Sequence, residues 1–130
     1  MFQLFLGLAG CLGALSVAAG AFASHALKEH LSDRAIEIFE TGARYQMYHA
    51  LGLLLIALLI SQASTTGLNV TWLNTAGIAF IVGTVLFSGS LYALSLSGIK
   101  VLGAITPLGG VGFIIGWSCI AIAAFTLNKG

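Results

Sequence analysis

His49 is the side chain in this sequence best placed to do chemistry. It stands at the head of the apolar run Leu51–Ile60, just behind Arg44, Tyr45 and Tyr48. Tyr45 and His49 are four positions apart, as are Arg44 and Tyr48, so on a helix each pair shares a face. The step from Arg44 to His49 is about 7.5 Å of helical rise. A titratable imidazole, a phenol donor and a guanidinium at one depth suit a proton relay, or the binding of an anionic headgroup or small anion. His25 lies at the other end of the same connection. A hairpin of the two flanking segments brings it to a similar depth, with Lys28 and Glu40 as secondary members of the corner. The same residues also support a plainer reading. Tyrosine anchors at membrane boundaries, arginine snorkels to headgroups, and an interfacial histidine can simply hydrogen-bond a neighbouring carbonyl.

Other chemistries find little footing. His25 and His30 are five apart, which does not put them on one helical face, and no HxxxH or HExxH spacing occurs. No Ser/His/Asp arrangement or phosphate loop suggests a reaction class, so neither a metal nor another cofactor is expected. A formal net charge of +1 with five Lys and Arg offers no patch for nucleic acid. Cys11 and Cys119 both fall inside apolar runs and read as small buried hydrophobes.

The elements that must position the corner follow from composition. Hydrophobic residues are 58% of the 130-residue chain and charged residues 7%. A chain this small has too little interior to hide that much apolar surface from water, so it belongs in a bilayer. Ten of its ionisable side chains are His25, Lys28, Glu29, His30, Asp33, Arg34, Glu37, Glu40, Arg44 and His49; only Lys100 and Lys129 lie elsewhere. About 20 apolar residues cross the hydrocarbon. The spans expected are residues 2–24, 43–63, 72–96 and 108–127, the last opened by Pro107, where a missing N–H does no harm. Backbone in lipid must pair internally, and no run alternates as a barrel strand does. The fold class is therefore all-α: one transmembrane domain over residues 1–130, a multi-pass protein of the cell membrane with both termini on one side. Between spans one and two, Ser32 is a good helix cap. Ile36, Phe39, Ala43 and Met47 recur at helical spacing, and Glu40 with Arg44 form an i,i+4 pair. An interfacial amphipathic helix is expected from about Asp33, continuing into span two.

Residues 61–71 read as a polar loop and 97–106 as a tight turn. Ala21-Phe22-Ala23 looks like a signal cleavage site, but no basic region precedes it and the apolar run is long, so the segment is read as a retained span. Asn69-Val70-Thr71 fits the glycosylation pattern, which matters only in a secretory pathway. Small residues let membrane helices approach closely. Ala76, Gly83, Ser90 and Ser97 form one stripe, Gly112 and Gly116 a GxxxG step, and Gly7, Ala14 and Ala21 a third stripe. Packing within the bundle is the favoured use of all three, ahead of a homodimer seam.

Several blocks together resemble a family of small bacterial membrane proteins catalogued as domain of unknown function 423, which has eukaryotic transmembrane relatives. They are Gly20-Ala21-Phe22, His25-Ala26-Leu27-Lys28, Tyr45-Gln46-Met47-Tyr48-His49, Leu86-Phe87-Ser88-Gly89-Ser90-Leu91-Tyr92, Gly103 to Gly110, and Gly116-Trp117. The family usually carries Gly where Ala23 stands. The resemblance implies a four-span protein without an established activity. It singles out His25, Tyr45, His49, the segment Phe87–Ser90, and Pro107-Leu108-Gly109-Gly110. Ser88 and Ser90 could line a polar cleft or, the more ordinary use, bond across the bundle.

Counting Lys28, Arg34, Arg44 and Lys100 against Lys129 puts both termini outside. The basic termini common in the resembled family point the other way. The leading functional expectation is a non-enzymatic bundle that binds a lipid headgroup, small anion or proton at the His25/Arg44/Tyr45/His49 corner, with membrane lipids as its partners. The rival is an accessory or assembly subunit of a larger membrane complex, or a homo-oligomer. A membrane enzyme acting on lipid is the third reading.

Overall fold

The computed structural model describes residues 1–127, so Lys129 of the charge count lies outside the described residues. Within them the chain is helical throughout. The long helices are α1 (Phe2–His25), α2 (Asp33–Ser61), α4 (Val70–Ser97) and α5 (Thr106–Phe125). Each falls in a segment long and apolar enough to cross a membrane. A 3-10 turn at Leu27–Glu29 joins α1 to α2, the single turn α3 (Ala63–Thr66) joins α2 to α4, and a 3-10 turn at Lys100–Ala104 leads into α5.

Local chemistry sets the ends of these helices. Ser32 Oγ accepts the Ala35 N–H at 3.2 Å and starts α2. Asn69 Oδ1 accepts from the backbone N–H groups of Thr71 at 3.0 Å and Trp72 at 3.4 Å, so the glycosylation-like triplet acts here as the cap of α4. Gly98 closes α4 with φ 69°, a left-handed conformation that costs glycine nothing. Pro107 sits in the first turn of α5.

Each long helix packs mainly on its neighbour in the order α1, α2, α4, α5, which makes α2 and α4 the middle pair. Their shared core holds Leu53, Ile56, Leu73 and Phe80, with Phe5 added from α1. Glycine permits the close approaches. Phe80 lies over both Gly52 of α2 and Gly116 of α5, Phe5 covers Gly77, and Gly112 faces the Gly83 backbone. Apart from the exposed Ser97, the stripes on α4 and α5 are thus packed inside the bundle.

Three expectations need correction, and one is met. The amphipathic segment begins at Asp33 and runs straight on into span two, as expected. It forms the first turns of α2, because nothing between Asp33 and Ser61 interrupts the backbone ladder. The polar loop and the tight turn each contain a short helical element. The small-residue stripe of α1 is not packed: Gly7, Ala14 and Ala21 are all exposed, since α1 turns its other face to α2. Cys11 shares that outward surface and is exposed, whereas Cys119 is buried.

Candidate functional site

The residues grouped by sequence into one corner fall on two sides of α2. Successive side chains on a helix are about 100° apart, so Arg44 and Tyr45, although adjacent, open onto different clefts. On the α5 side Tyr45, Tyr48 and His49 line a cavity of about 490 Å³ together with Phe87, Phe113 and Trp117. On the α1 side Arg44 and Glu40 line a groove of about 400 Å³ with Ser16, Gly20, Ser24 and Met47.

The imidazole of His49 is 5% exposed and fully occupied. Its Nδ1 lies 2.7 Å from the Tyr45 carbonyl, which can only accept, so the ring proton is on Nδ1. Its Nε2 accepts the indole N–H of Trp117 at 3.1 Å. These two partners assign the neutral tautomer, because a proton on Nε2 would face the Trp117 donor. The ring is stacked on Phe113 with centroids 3.5 Å apart and planes 5° apart, and Phe80 meets it edge-on at 5.1 Å. Phe113 is the eighth of the 20 residues of α5, so His49 is level with a point about 10 Å inside that helix. The register with α5 sets the ring well inside the bundle.

Arg44 is exposed and lies about 16 Å along α2 from Asp33. The expected Glu40–Arg44 pair is not closed. Among the described residues the ion pair is Arg34–Glu37 at 3.0 Å, nearly two turns nearer the start of the helix. Ser16 closes the deep end of the groove. It is 5% exposed, and its Oγ has no hydrogen-bond partner. Ser24, at the shallow end, spends its hydroxyl proton on the Gly20 carbonyl at 3.0 Å. The groove therefore holds a free guanidinium, a free buried hydroxyl and an unpaired carboxylate.

The remaining sequence candidates are dispersed. His25 is the exposed last residue of α1 and lines neither cleft, and Lys28 is exposed on the following turn. Ser88 Oγ donates to the Gly42 carbonyl of α2 at 2.7 Å. Ser90 Oγ donates to the Phe87 carbonyl at 2.9 Å and so accepts from Thr106 at 2.6 Å, which ties α4 to the start of α5 beside Pro107. Gly109 abuts the backbone of Phe87, while Gly110 lines the aromatic cleft with open space at its Cβ position. Ser88 and Ser90 thus bond between helices, the more ordinary of the two uses open to them, and Gly109 lets α5 approach α4.

Sequence reasoning passed over Ser16, Gln46, Tyr92, Phe113 and Trp117. Gln46 is buried and donates to the Leu12 carbonyl of α1 at 2.9 Å, while the Tyr92 hydroxyl of α4 donates to its Oε1 at 2.7 Å. One amide thus links three helices. The available signal was an uncharged polar group just inside the start of span two, which in lipid must find a protein partner.

The model of the family described as "Protein of unknown function (DUF423)" matches residues 19–110. The chain belongs to the DUF423 family. Two relatives bear the same reading. The UPF0382 membrane protein of Staphylococcus epidermidis (strain ATCC 12228 / FDA PCI 1200) is 47% identical over 121 residues, covering 93% of this chain and 94% of the relative. The UPF0382 membrane protein YwdK of Bacillus subtilis (strain 168) is 48% identical over 122 residues, covering 94% and 96%. No solved structure matches the chain. The stretch matched by the DUF423 model contains Arg44, Glu40 and Ser24 of the groove but not Ser16, and Phe113 and Trp117 of the aromatic cleft also lie outside it. The protein is an integral membrane protein with an all-helical bundle of four spans.

Proposed function

We propose that this protein, a resident of the cell membrane, binds the phosphate-bearing headgroup of a membrane lipid at Arg44 and carries out no reaction of its own. The observation that supports this most is the free guanidinium of Arg44, opening on the same groove as the unpartnered hydroxyl of Ser16. A charge costs at least about 2.5–3.5 kcal/mol at the centre of a span, and a residue near its start, as Arg44 is, carries a smaller part of that cost. A headgroup oxygen accepting from the guanidinium returns about 1.5–3 kcal/mol as a charge-assisted hydrogen bond. Arg44 has no carboxylate in place to do this. The proton-relay version of the corner draws less support, because both nitrogens of His49 are already used.

Lipid retention tests the reading. Wild type, Arg44→Gln and Arg34→Gln are extracted in mild detergent, and bound phospholipid is counted by native mass spectrometry. Arg44→Gln is expected to lose retained phospholipid roughly tenfold, the equivalent of about 1.4 kcal/mol. Arg34→Gln keeps it. Equal retention in wild type and Arg44→Gln overturns the proposal.

A second reading, an accessory subunit of a membrane complex or a homo-oligomer, is favoured by the open face of α1 at Gly7, Gly10 and Gly13. Close helix packing needs such a surface. A partner at fixed ratio that is lost on Gly10→Leu supports it, and a lone monomer in both proteins contradicts it.

A further inference from the structure

The charges of the α1–α2 groove are ordered along the bundle, and the order selects among headgroups. Its deep end presents donors only. Arg44 supplies the guanidinium, and Ser16 supplies a hydroxyl whose Oγ is buried without a partner. Its shallow end presents acceptors. Glu40 carries an unpaired carboxylate, and Ser24, having given its proton to the Gly20 carbonyl, has only lone pairs left to offer. The antiparallel register of α1 and α2 sets this alignment. Leu12 is tied to Gln46, and Ala23 packs in one cluster with Phe39, so Ser16 lies near Arg44 and Ser24 near Glu40. Glu40 is about 6 Å nearer the charged start of α2 than Arg44 is.

A purely anionic headgroup would meet Glu40 as a like charge, and a simple cation would meet Arg44. A headgroup with phosphate next to the glycerol backbone and a primary ammonium beyond it meets neither conflict. Its phosphate is the deeper group and its ammonium the outer one, the order in which donors and acceptors stand here. The ammonium also carries three N–H donors, which a carboxylate and a serine lone pair can accept. A quaternary ammonium has none.

We propose that the groove is a binding site for a zwitterionic aminophospholipid of the phosphoethanolamine class, with phosphate on Arg44 and Ser16 and ammonium on Glu40 and Ser24. This rests on the headgroup reading above and specifies its ligand.

The test is competition in nanodiscs containing equal parts of phosphatidylethanolamine, phosphatidylglycerol and phosphatidylcholine of identical acyl chains. The full chain is then released into mild detergent and its retained lipids are weighed by native mass spectrometry. Wild type is expected to retain phosphatidylethanolamine in several-fold excess over both others. Glu40→Gln is expected to keep bound lipid while shifting the preference to phosphatidylglycerol, and Ser16→Ala to lower retention of both. Retention in wild type that does not favour phosphatidylethanolamine overturns the assignment, as does an unchanged preference in Glu40→Gln. If Arg44→Gln still abolishes retention in either case, only the choice of headgroup has failed. Undiminished retention in Arg44→Gln removes both proposals. Melting temperatures of all variants, measured in the same detergent, separate ligand loss from unfolding.

Discussion

Trp117 of α5 donates its indole N–H to Nε2 of His49 on α2 at 3.1 Å, joining two helices that otherwise pack chiefly through α4. The most reactive-looking side chain of the sequence is thereby held as a neutral strut, with Phe113 flat against its face. Trp117→Phe keeps the aromatic bulk and strands a buried acceptor, which costs about 1–3 kcal/mol. Unfolding in detergent should register that loss, while lipid retention stays at the wild-type level. A fall in retention without destabilisation would return His49 to the binding site.

The Gln46–Tyr92 pair allows a sharper test, because both partners can be removed. Tyr92→Phe leaves Gln46 Oε1 unpaired in an apolar setting, whereas the double change Gln46→Leu with Tyr92→Phe removes donor and acceptor together. The single variant is expected to lose about 0.6–1.7 kcal/mol, the range for hydrogen bonds between membrane helices. The double variant is expected to lose less than the two single changes added. A double-mutant cycle on unfolding free energies measures the difference.

Neighbouring glycines should respond oppositely. A Cβ on Gly109 would overlap the backbone nitrogen of Phe87, which cannot move aside as a flexible side-chain end would, so Gly109→Ala is expected to cost about 1–3 kcal/mol. Gly110 has open space at the same atom, and Gly110→Ala gains up to about 1 kcal/mol of helix propensity. Thermal melts of the two variants side by side check both signs.

Much of this architecture was legible in the letters, and the reason is physical. Long apolar runs have only helices as a solution in lipid, and Ser32 and Pro107 mark helix starts by local hydrogen bonding. What stayed hidden was rotation and register. The sequence grouped Arg44, Tyr45 and His49 by nearness along the chain, but their faces are decided by which neighbours α2 meets. Those neighbours, Phe113 and Trp117 on one side and Ser16 on the other, are far away in sequence. The packing around His49 was hidden for a related reason. The apolar run begins at the point where the polar flank of α2 ends, yet the helix is already well inside the bundle there, level with mid-α5. The α1 stripe misled in the opposite direction, since small residues mark a close approach without naming the partner.

The two cysteines report on the facing of α1. Cys11 is exposed and Cys119 is buried. A small apolar maleimide in detergent is expected to label Cys11 in the folded protein and Cys119 only after denaturation. Mass spectrometry of the two peptides reads the ratio. Labelling of Cys119 first would mean that α5 is not packed as described.

The central claim, a headgroup held on the α1 side of α2 by Arg44, is tested most directly by cross-linking in the membrane. The photoreactive residue p-benzoylphenylalanine is placed at Met47, which lines the Arg44 groove, or at Ile114, which lines the aromatic cleft. Both proteins are irradiated in cells whose phospholipids carry radiophosphate. The expected result is a labelled adduct at Met47 that disappears when Arg44→Gln is added, and only the weaker background of bulk lipid at Ile114. Equal labelling at both positions, or a Met47 adduct indifferent to Arg44, would contradict the account.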